Sequence, residues 1–446
     1  MLKRVRAFIA LTLLAVTLPA AARAQVAPDP AAAFFDDTVL HDIRLAINSR
    51  DWESLKVNYL ANTQYPCDFK WQDQTVRNIG IRSRGHGSRS GVKPGLRVDF
   101  NYYTASQEFL GLKSFILRNN TQDPSGLRER LSMLMFRRME IPAEREAHAR
   151  LFVNNVYAGL YTIVESVDKT FLKKNYGEND GHLYEYSFDD AVEPPFNFGY
   201  PGSDPVLYVP QPFKPQTLEN DPRGDVIERL FWTINVAGDA IWRTAIEEFL
   251  DLKKFIRQIA IENFLAEEDG ITGDYGPNNF YFYRFVNRNL FTFIPWDKSN
   301  AFWESPAYWI FRNIEDGAES HRNRLVVRAL RNTDLRELYL QTMLECADSV
   351  LADPLLTPTT SASPVPAGPI VPAAPGKPGW LESEVARQYA QIKAAAVVDP
   401  LSPFSPAQFE QSIVDLTAFA RLRGEQVRLQ VAADRAQRGA SAARRR

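Results

Sequence analysis

Glu267-Glu268-Asp269-Gly270-Ile271-Thr272-Gly273-Asp274-Tyr275-Gly276-Pro277-Asn278-Asn279 leads into two aromatic runs, 280–285 and 290–294. The runs are joined through Asn287-Arg288-Asn289 and end at Pro295-Trp296-Asp297. Apolar and aromatic runs around a short polar turn predict a hairpin. A hairpin brings its outer ends together, so Asp269 or Asp274, Asn279 and Asp297 can converge. Carboxylate and amide oxygens are hard ligands that suit magnesium or manganese. Such ions hold phosphate groups, and a free aspartate beside them can accept a hydroxyl proton. Each residue also has a plainer reading: Asp269-Gly270 and Asn278-Asn279 as turn chemistry, Asp297 as a cap for the segment that follows. Acid at both ends of one hairpin puts the metal reading level with it.

Working outward, the chain is mainly helical over 222–268 and again over 322–352. Strands are expected earlier, at 75–82, 95–103, 114–118 and 182–187. A hairpin of 147–153 with 156–165 turns on Asn154-Asn155, a pair suited to positive φ. In the second strand Leu96, Val98 and Phe100 share one face, with Arg97 and Asp99 on the other. Short helices are expected at 37–48 and 168–175. A longer one runs from an Asp123-Pro124 cap to about 139. Early strands and late helices predict an α+β fold with a strand-rich N-terminal part and a helical C-terminal part. Residues 353–378 hold eight prolines and read as a semi-rigid linker between a body at 25–352 and a C-terminal region at 379–446. That region carries helices at 380–397 and 406–434 and a solvated basic tail ending in Arg444-Arg445-Arg446.

The whole sequence has 446 residues, 45% apolar, 12% aromatic and 24% charged, which excludes disordered, collagen-like and coiled-coil classes. Residues 1–24 read as a secretory signal: Lys3, Arg4 and Arg6, an uncharged apolar run from 7 to 18, then Ala22-Arg23-Ala24 before Gln25. The run is shorter than the roughly 20 residues a membrane helix needs, and no later segment is long and apolar enough. Removing Lys3, Arg4, Arg6 and Arg23 from 52 basic side chains leaves 48 against 54 acidic ones, a balance of −6. An acidic exported chain is not a general nucleic-acid binder. Export permits a Cys67–Cys346 disulfide, with two buried thiols as the equal alternative. Five scattered histidines without a cysteine cluster argue against zinc.

Two further stretches carry possible chemistry. Arg82-Ser83-Arg84-Gly85-His86-Gly87-Ser88-Arg89-Ser90-Gly91-Val92-Lys93 is glycine-rich and basic, so its amides and cations can approach an anion, or it is an ordinary interstrand loop. Glu165 ends an apolar strand and needs a partner if buried. That partner is expected to be Lys93, as an ion pair positioning a phosphate-binding lysine, or an arginine. Arg118 and Arg128 are read as surface salt-bridge partners rather than phosphate clamps. No GxSxG elbow is present. Exposed aromatics would permit a glycan-binding module, the weakest of the functional readings.

Four blocks in order resemble the spore-coat protein H (CotH) family of atypical protein kinases. They are Arg82-x-Arg84-Gly85-x-Gly87-Ser88 with Lys93 and Arg97; Leu117-Arg118-Asn119-Asn120 through Asp123, Leu127-Arg128 and Leu131; Leu151-Phe152-Val153-Asn154-Asn155-x-Tyr157-x-Gly159-Leu160-Tyr161 with Glu165; and Asp269-Gly270, Asn279-Phe280-Tyr281-Phe282-Tyr283 with Ile294-Pro295-Trp296-Asp297. The resemblance implies a distantly kinase-like, two-part fold that binds ATP with Mg²⁺ or Mn²⁺ and phosphorylates a protein substrate in a periplasmic or extracellular setting. It sets no oligomeric state. Position by position it implies Asp269 as the catalytic aspartate with Asp274 in reserve, Asn279 and Asp297 as metal ligands, and Lys93 as the phosphate-binding lysine. Arg84, Gly85, Gly87, Ser88 and Glu165 would complete the nucleotide site. The family often reads Trp-Asp-x-Asp where this chain has Trp296-Asp297-Lys298-Ser299, so one expected acid is missing. The rival from another class is a non-catalytic envelope or surface assembly protein that keeps the fold as a scaffold.

Overall fold

The computed structural model describes residues 29–187, 197–357 and 368–444, with 359 and 364–366 in between. The leader-like segment 1–24 and Arg445-Arg446 lie outside them.

The first half is β1 (His41–Ile47), α1 (Ser49–Val57), β2 (Tyr65–Trp71), β3 (Gln74–Ser83), β4 (Leu96–Asp99), β5 (Ser114–Arg118), α2 (Arg128–Arg138), β6 (Glu146–Val153) and β7 (Val156–Glu165). The strands form a closed barrel in the order β1-β2-β3-β4-β5-β7-β6, with β6 returning parallel to β1 and every other pair antiparallel. Closure removes both sheet edges. Inside it, Phe34, Phe69, Phe100, Phe109 and Phe115 pack ring against ring, with centroids 5.0 Å apart for Phe69–Phe109 and 5.1 Å for Phe34–Phe115.

The second half holds α3 (Lys169–Tyr176), β8 (His182–Tyr186), β9 (Phe213–Pro215), α4 (Gly224–Asn235), α5 (Asp239–Glu247), α6 (Leu252–Phe264), β10 (Phe280–Arg284), β11 (Phe291–Pro295), α7 (Arg324–Ala329), α8 (Thr333–Val350), α9 (Trp380–Val397) and α10 (Pro406–Arg444). A four-stranded sheet, β11-β10-β8-β9, packs its aromatic face on these helices. The α+β class holds, while closure of the strands into a barrel goes beyond what the pattern predicted.

Several expectations are corrected. Residues 37–48 are not helical: His41, Ile43, Leu45 and Ile47 are buried alternately with Asp42, Arg44 and Ala46, the period of a strand. β2 went unread, and β4 stops at Asp99 rather than 103. α2 starts at Arg128, because Asp123 first closes a turn by accepting from Ser125 N (2.9 Å) and then accepts from Arg128 N (2.9 Å). α10 runs to Arg444, past the expected end at 434. Of the two alternatives for Cys67 and Cys346, the structure bears out buried free thiols.

The C-terminal helices fold back on the body. Leu416, Phe419, Ala420 and Val427 of α10 share one core with Leu335, Tyr339 and Met343 of α8. Val371 and Ala373 of the proline-rich segment hydrogen-bond to Asp353 and Leu351 at the end of α8. Arg423 of α10 is wholly buried and donates to the carbonyls of Asn263 (2.7 Å), Phe264 (2.8 Å), Pro306 (2.9 Å) and Tyr308 (2.6 Å). It thereby satisfies the orphan carbonyls at the end of α6. Among the described residues no helix is long and apolar enough to cross a membrane.

Candidate functional site

The loop after α6 is held from beneath by buried polar side chains. Glu262 accepts from Ile271 N (2.8 Å) and pairs with Lys298 Nζ (3.0 Å), which also donates to Asn279 O (2.9 Å). Glu267 accepts from Asp269 N (2.9 Å), and burial pushes its carboxyl up to about 8 against the pull of Lys298. Asn263 accepts from the hydroxyl of Thr272 (2.9 Å), and Asn313 donates to Thr272 O (3.1 Å). A buried network satisfied in this way fixes one loop conformation.

On that base the hairpin ends meet. Phe280 stands opposite Pro295, and Trp296 N donates to Asn279 O at 3.2 Å. Asp269 accepts from Asn278 Nδ2 and Asn279 Nδ2, both at 2.9 Å. Burial lifts Asp269 above the ordinary carboxylate range, and the charge of Asp297 adds to the lift. Asp297 itself lies below that range: burial raises it, but the charge and hydrogen bond of Arg118 outweigh burial. Its Oδ1 accepts from Arg118 Nη1 (2.8 Å) and Ser299 Oγ (3.2 Å). The structure therefore brings Asp269, Asn279 and Asp297 together. Asp274 is drawn elsewhere, bonding Asn313 (2.6 Å) and facing Arg312 (3.5 Å).

Arg118 is buried, not on the surface, and so is Arg128. Arg118 stands at the end of β5, whose five residues are all buried. It bridges Asp297 of the hairpin and Glu129 in the first turn of α2. Burial works against its charge, but Asp297 and Glu129 raise its pKa all the same. Sequence reading put this arginine at the surface and did not single out Glu129. An arginine closing the apolar run Phe115-Ile116-Leu117 needs a buried anion, and that was the available signal.

The glycine-rich loop covers the same end of the barrel. Arg84 lies over Trp296 (4.8 Å) and faces Glu185 (3.7 Å). Gly85 has φ +120°, and a Cβ there would meet Ser88 Oγ at 2.6 Å. Ser88 O accepts from Asn119 Nδ2 (2.9 Å), while Gly87 lies beside Gln122. Arg89 is consumed by the carbonyls of Gly85, Tyr59 and Leu60.

Lys93 is not where it was placed, and Glu165 takes an arginine, the other of its two expected partners. Lys93 Nζ is buried against Leu160 O (2.9 Å) and Asp399 Oδ2 (2.7 Å) and does not take part in the Asp269–Asp297 group. Glu165 pairs with Arg145, accepting from Arg145 N (3.1 Å), Nε (3.0 Å) and Nη2 (2.5 Å), not with Lys93.

A polar cleft opens between the barrel and the second sheet, with Arg97, Ile116, Asp168, Leu183 and Tyr281 on its walls. Arg97 is fixed by Asp99 (2.7 Å) and Ser114 Oγ (3.1 Å). Tyr281 meets Trp296 edge-on at 5.2 Å and so connects this cleft to Asp297. At that junction, Asp297 Oδ2 and Asn279 Oδ1 accept no hydrogen bond from the described residues, which leaves two hard oxygens for a divalent cation.

The family model described as CotH kinase protein matches residues 81–427. The chain is 23% identical over 324 residues to the inner spore coat protein H of Bacillus subtilis (strain 168), covering 72% of this chain and 84% of that protein.

Proposed function

This chain belongs to the CotH family, and from that premise we propose that it transfers the γ-phosphoryl of ATP to hydroxyls of a protein substrate. The observation that carries the proposal is the bridge from Glu129 through Arg118 to Asp297, beside Asp269. Protein kinases use a strand cation paired to a helix glutamate, next to a metal-binding aspartate. Here Arg118 is that cation and α2 supplies the glutamate. Arginine holds its charge when buried, and its planar fork engages two anions at once.

Asp297 and Asn279 would hold Mg²⁺ or Mn²⁺, whose charge supplies neutralisation of the phosphates. Asp269 is placed to accept the proton of the attacking hydroxyl, its carboxyl oriented by Asn278 and Asn279. Asp274 is bound to Asn313 and Arg312, so we give it a loop-ordering role. The phosphate-facing cations are assigned to Arg118 and Arg84 rather than Lys93, whose ammonium Asp399 holds. Gly85, Gly87 and Ser88 bring backbone over the same end of β5. Glu165 acts through Arg145 on the barrel rather than on the nucleotide. The base would lie in the cleft beside Arg97 and Tyr281.

Ser299 stands where the family carries a second acid, and its hydroxyl donates to Asp297 instead. The site then has one anionic ligand fewer, which weakens metal binding without removing it. The leader-like sequence, with a relative named as a spore coat protein, supports a location outside the cytoplasm. The test is nucleotide-dependent stabilisation together with label transfer from [γ-³²P]ATP. A folded chain that shows neither would instead be an envelope assembly scaffold.

A further inference from the structure

Beside Arg118 three carboxylates converge. Glu129 lies in the first turn of α2, Glu144 in the connection that follows α2, and Glu146 opens β6. They are 5%, 0% and 4% exposed, and one oxygen from each lies within 4.8 Å of the others. Among the described residues Glu129 meets only Arg118, neither oxygen of Glu146 takes part in a hydrogen bond, and the carboxylate of Glu144 meets only its own backbone N–H.

Buried carboxylates without donors are costly, and grouping them adds repulsion. The cations that face the group are few. Arg118 contacts Glu129 and is shared with Asp297, Arg130 is committed to Asp37 and Glu384, and Arg84 acts from the glycine-rich loop. Counting Asp297, four acids face Arg118, while Arg130 is committed elsewhere and Arg84 also faces Glu185. Something positive must complete the site, either bound protons or a bound cation.

The geometry favours the cation. Oxygens ligating one Ca²⁺ at 2.3–2.6 Å lie at most roughly 4.6–5.2 Å apart across the ion, so three oxygens within 4.8 Å of one another can share a single ion's shell. Three carboxylates from rigid elements form an all-protein cage, which suits Ca²⁺ or Mn²⁺. Mg²⁺ prefers to keep its waters. We propose that Glu129, Glu144 and Glu146 bind one Ca²⁺ or Mn²⁺ ion in the absence of nucleotide, at a site distinct from Asp297 and Asn279. The ion holds Glu129 in place and so positions Arg118. This inference does not rest on the phosphotransfer reading.

The test uses the chain from Gln25, stripped with EDTA and dialysed free of nucleotide. Mn²⁺ binding is read from loss of the aqueous Mn²⁺ spin-resonance signal, and melting temperature is followed against Mn²⁺ and Ca²⁺. The expected result is one ion per chain, with melting temperature rising with the logarithm of ion concentration. Asp297→Ala keeps this binding, whereas Glu144→Gln and Glu146→Gln each weaken it at least about tenfold. Relieved of a buried charge, the glutamine variants melt no lower than metal-free wild type, which also shows that they fold. No binding without nucleotide would overturn the proposal, as would binding untouched by both glutamine variants or lost in Asp297→Ala. A carboxylic-acid infrared band that persists at neutral pH with Mn²⁺ present and is lost in Glu144→Gln or Glu146→Gln would overturn it in favour of protons.

Discussion

Lys93 Nζ lies 2.7 Å from Asp399 Oδ2, joining the start of β4 to the turn between α9 and α10 across 306 residues of chain. The same carboxylate accepts from Leu160 N (2.8 Å) and Leu401 N (3.0 Å). Gly159, at φ +119°, leaves the space it occupies, since a Cβ there would come within 2.4 Å of Asp399 Oδ1. The lysine that the family pattern points to is thus part of a clasp that ties the C-terminal helices to the barrel.

Breaking the clasp should be expensive. Asp399→Ala leaves a buried ammonium with one carbonyl for company, and a broken buried pair costs about 3–5 kcal/mol. Urea unfolding of the variant should show that loss. The double variant Lys93→Met with Asp399→Ala should recover part of it, because no charge is then stranded.

Arg118→Lys tests the bridge. A lysine carries the charge but cannot fork between Glu129 and Asp297. The expected outcome is a folded protein whose phosphoryl transfer falls on the order of 10²-fold, the scale of removing one electrostatic contact to the transferring group. Steady-state label transfer beside a circular dichroism spectrum checks both halves of that statement.

The buried acids set a pH dependence. Burial raises the folded pKa of Glu267 to about 8 from an ordinary 4.5, so the folded state holds a proton the unfolded state has released. Its contribution is therefore present below about 4.5 and is lost as pH climbs through about 8. Glu129, Glu144 and Glu146 are raised by burial and act in the same direction. Denaturation midpoints of the EDTA-treated chain should fall between pH 5 and pH 8 (conditions chosen to span about that window). Glu267→Gln, which keeps an oxygen for Asp269 N, should flatten the slope.

Ser299→Asp restores the acid that the family pattern carries. It places a second carboxylate beside Asp297 and should lower the half-saturating Mn²⁺ for transfer by about tenfold, since ligand charge tunes affinity for hard cations. The same change should lower stability without metal, because Asp297 exchanges a hydroxyl donor for a like charge. Metal titrations of activity and of melting temperature read the two effects separately.

Legibility in the sequence followed the range of the interactions. The hairpin on Asn154-Asn155 was readable because both asparagines sit at positive φ, +50° and +66°, where short polar side chains belong. The meeting of Asn279 with Asp297 was readable because one hairpin brings them together. Barrel closure was not, since it depends on β6 lying parallel to β1 across about a hundred residues. Nor was the fate of Lys93 readable, because its partner Asp399 lies beyond the proline-rich segment. Arg118 and Glu129 were hidden for another reason. Charged residues are expected at the surface, and only three-dimensional packing shows that these two are buried together.

The most direct measurement is transfer of label from [γ-³²P]ATP by the purified chain from Gln25, with Mn²⁺ or Mg²⁺ and a protein acceptor. Asp269→Ala, Asp274→Ala and Asp297→Ala are assayed alongside. Phosphotransfer at the Asp269–Asp297 centre predicts transfer by wild type, retention of most of it in Asp274→Ala, and loss in the other two while both still fold. Transfer that survives in Asp269→Ala and Asp297→Ala, or a folded wild type that neither transfers label nor is stabilised by nucleotide, would contradict it.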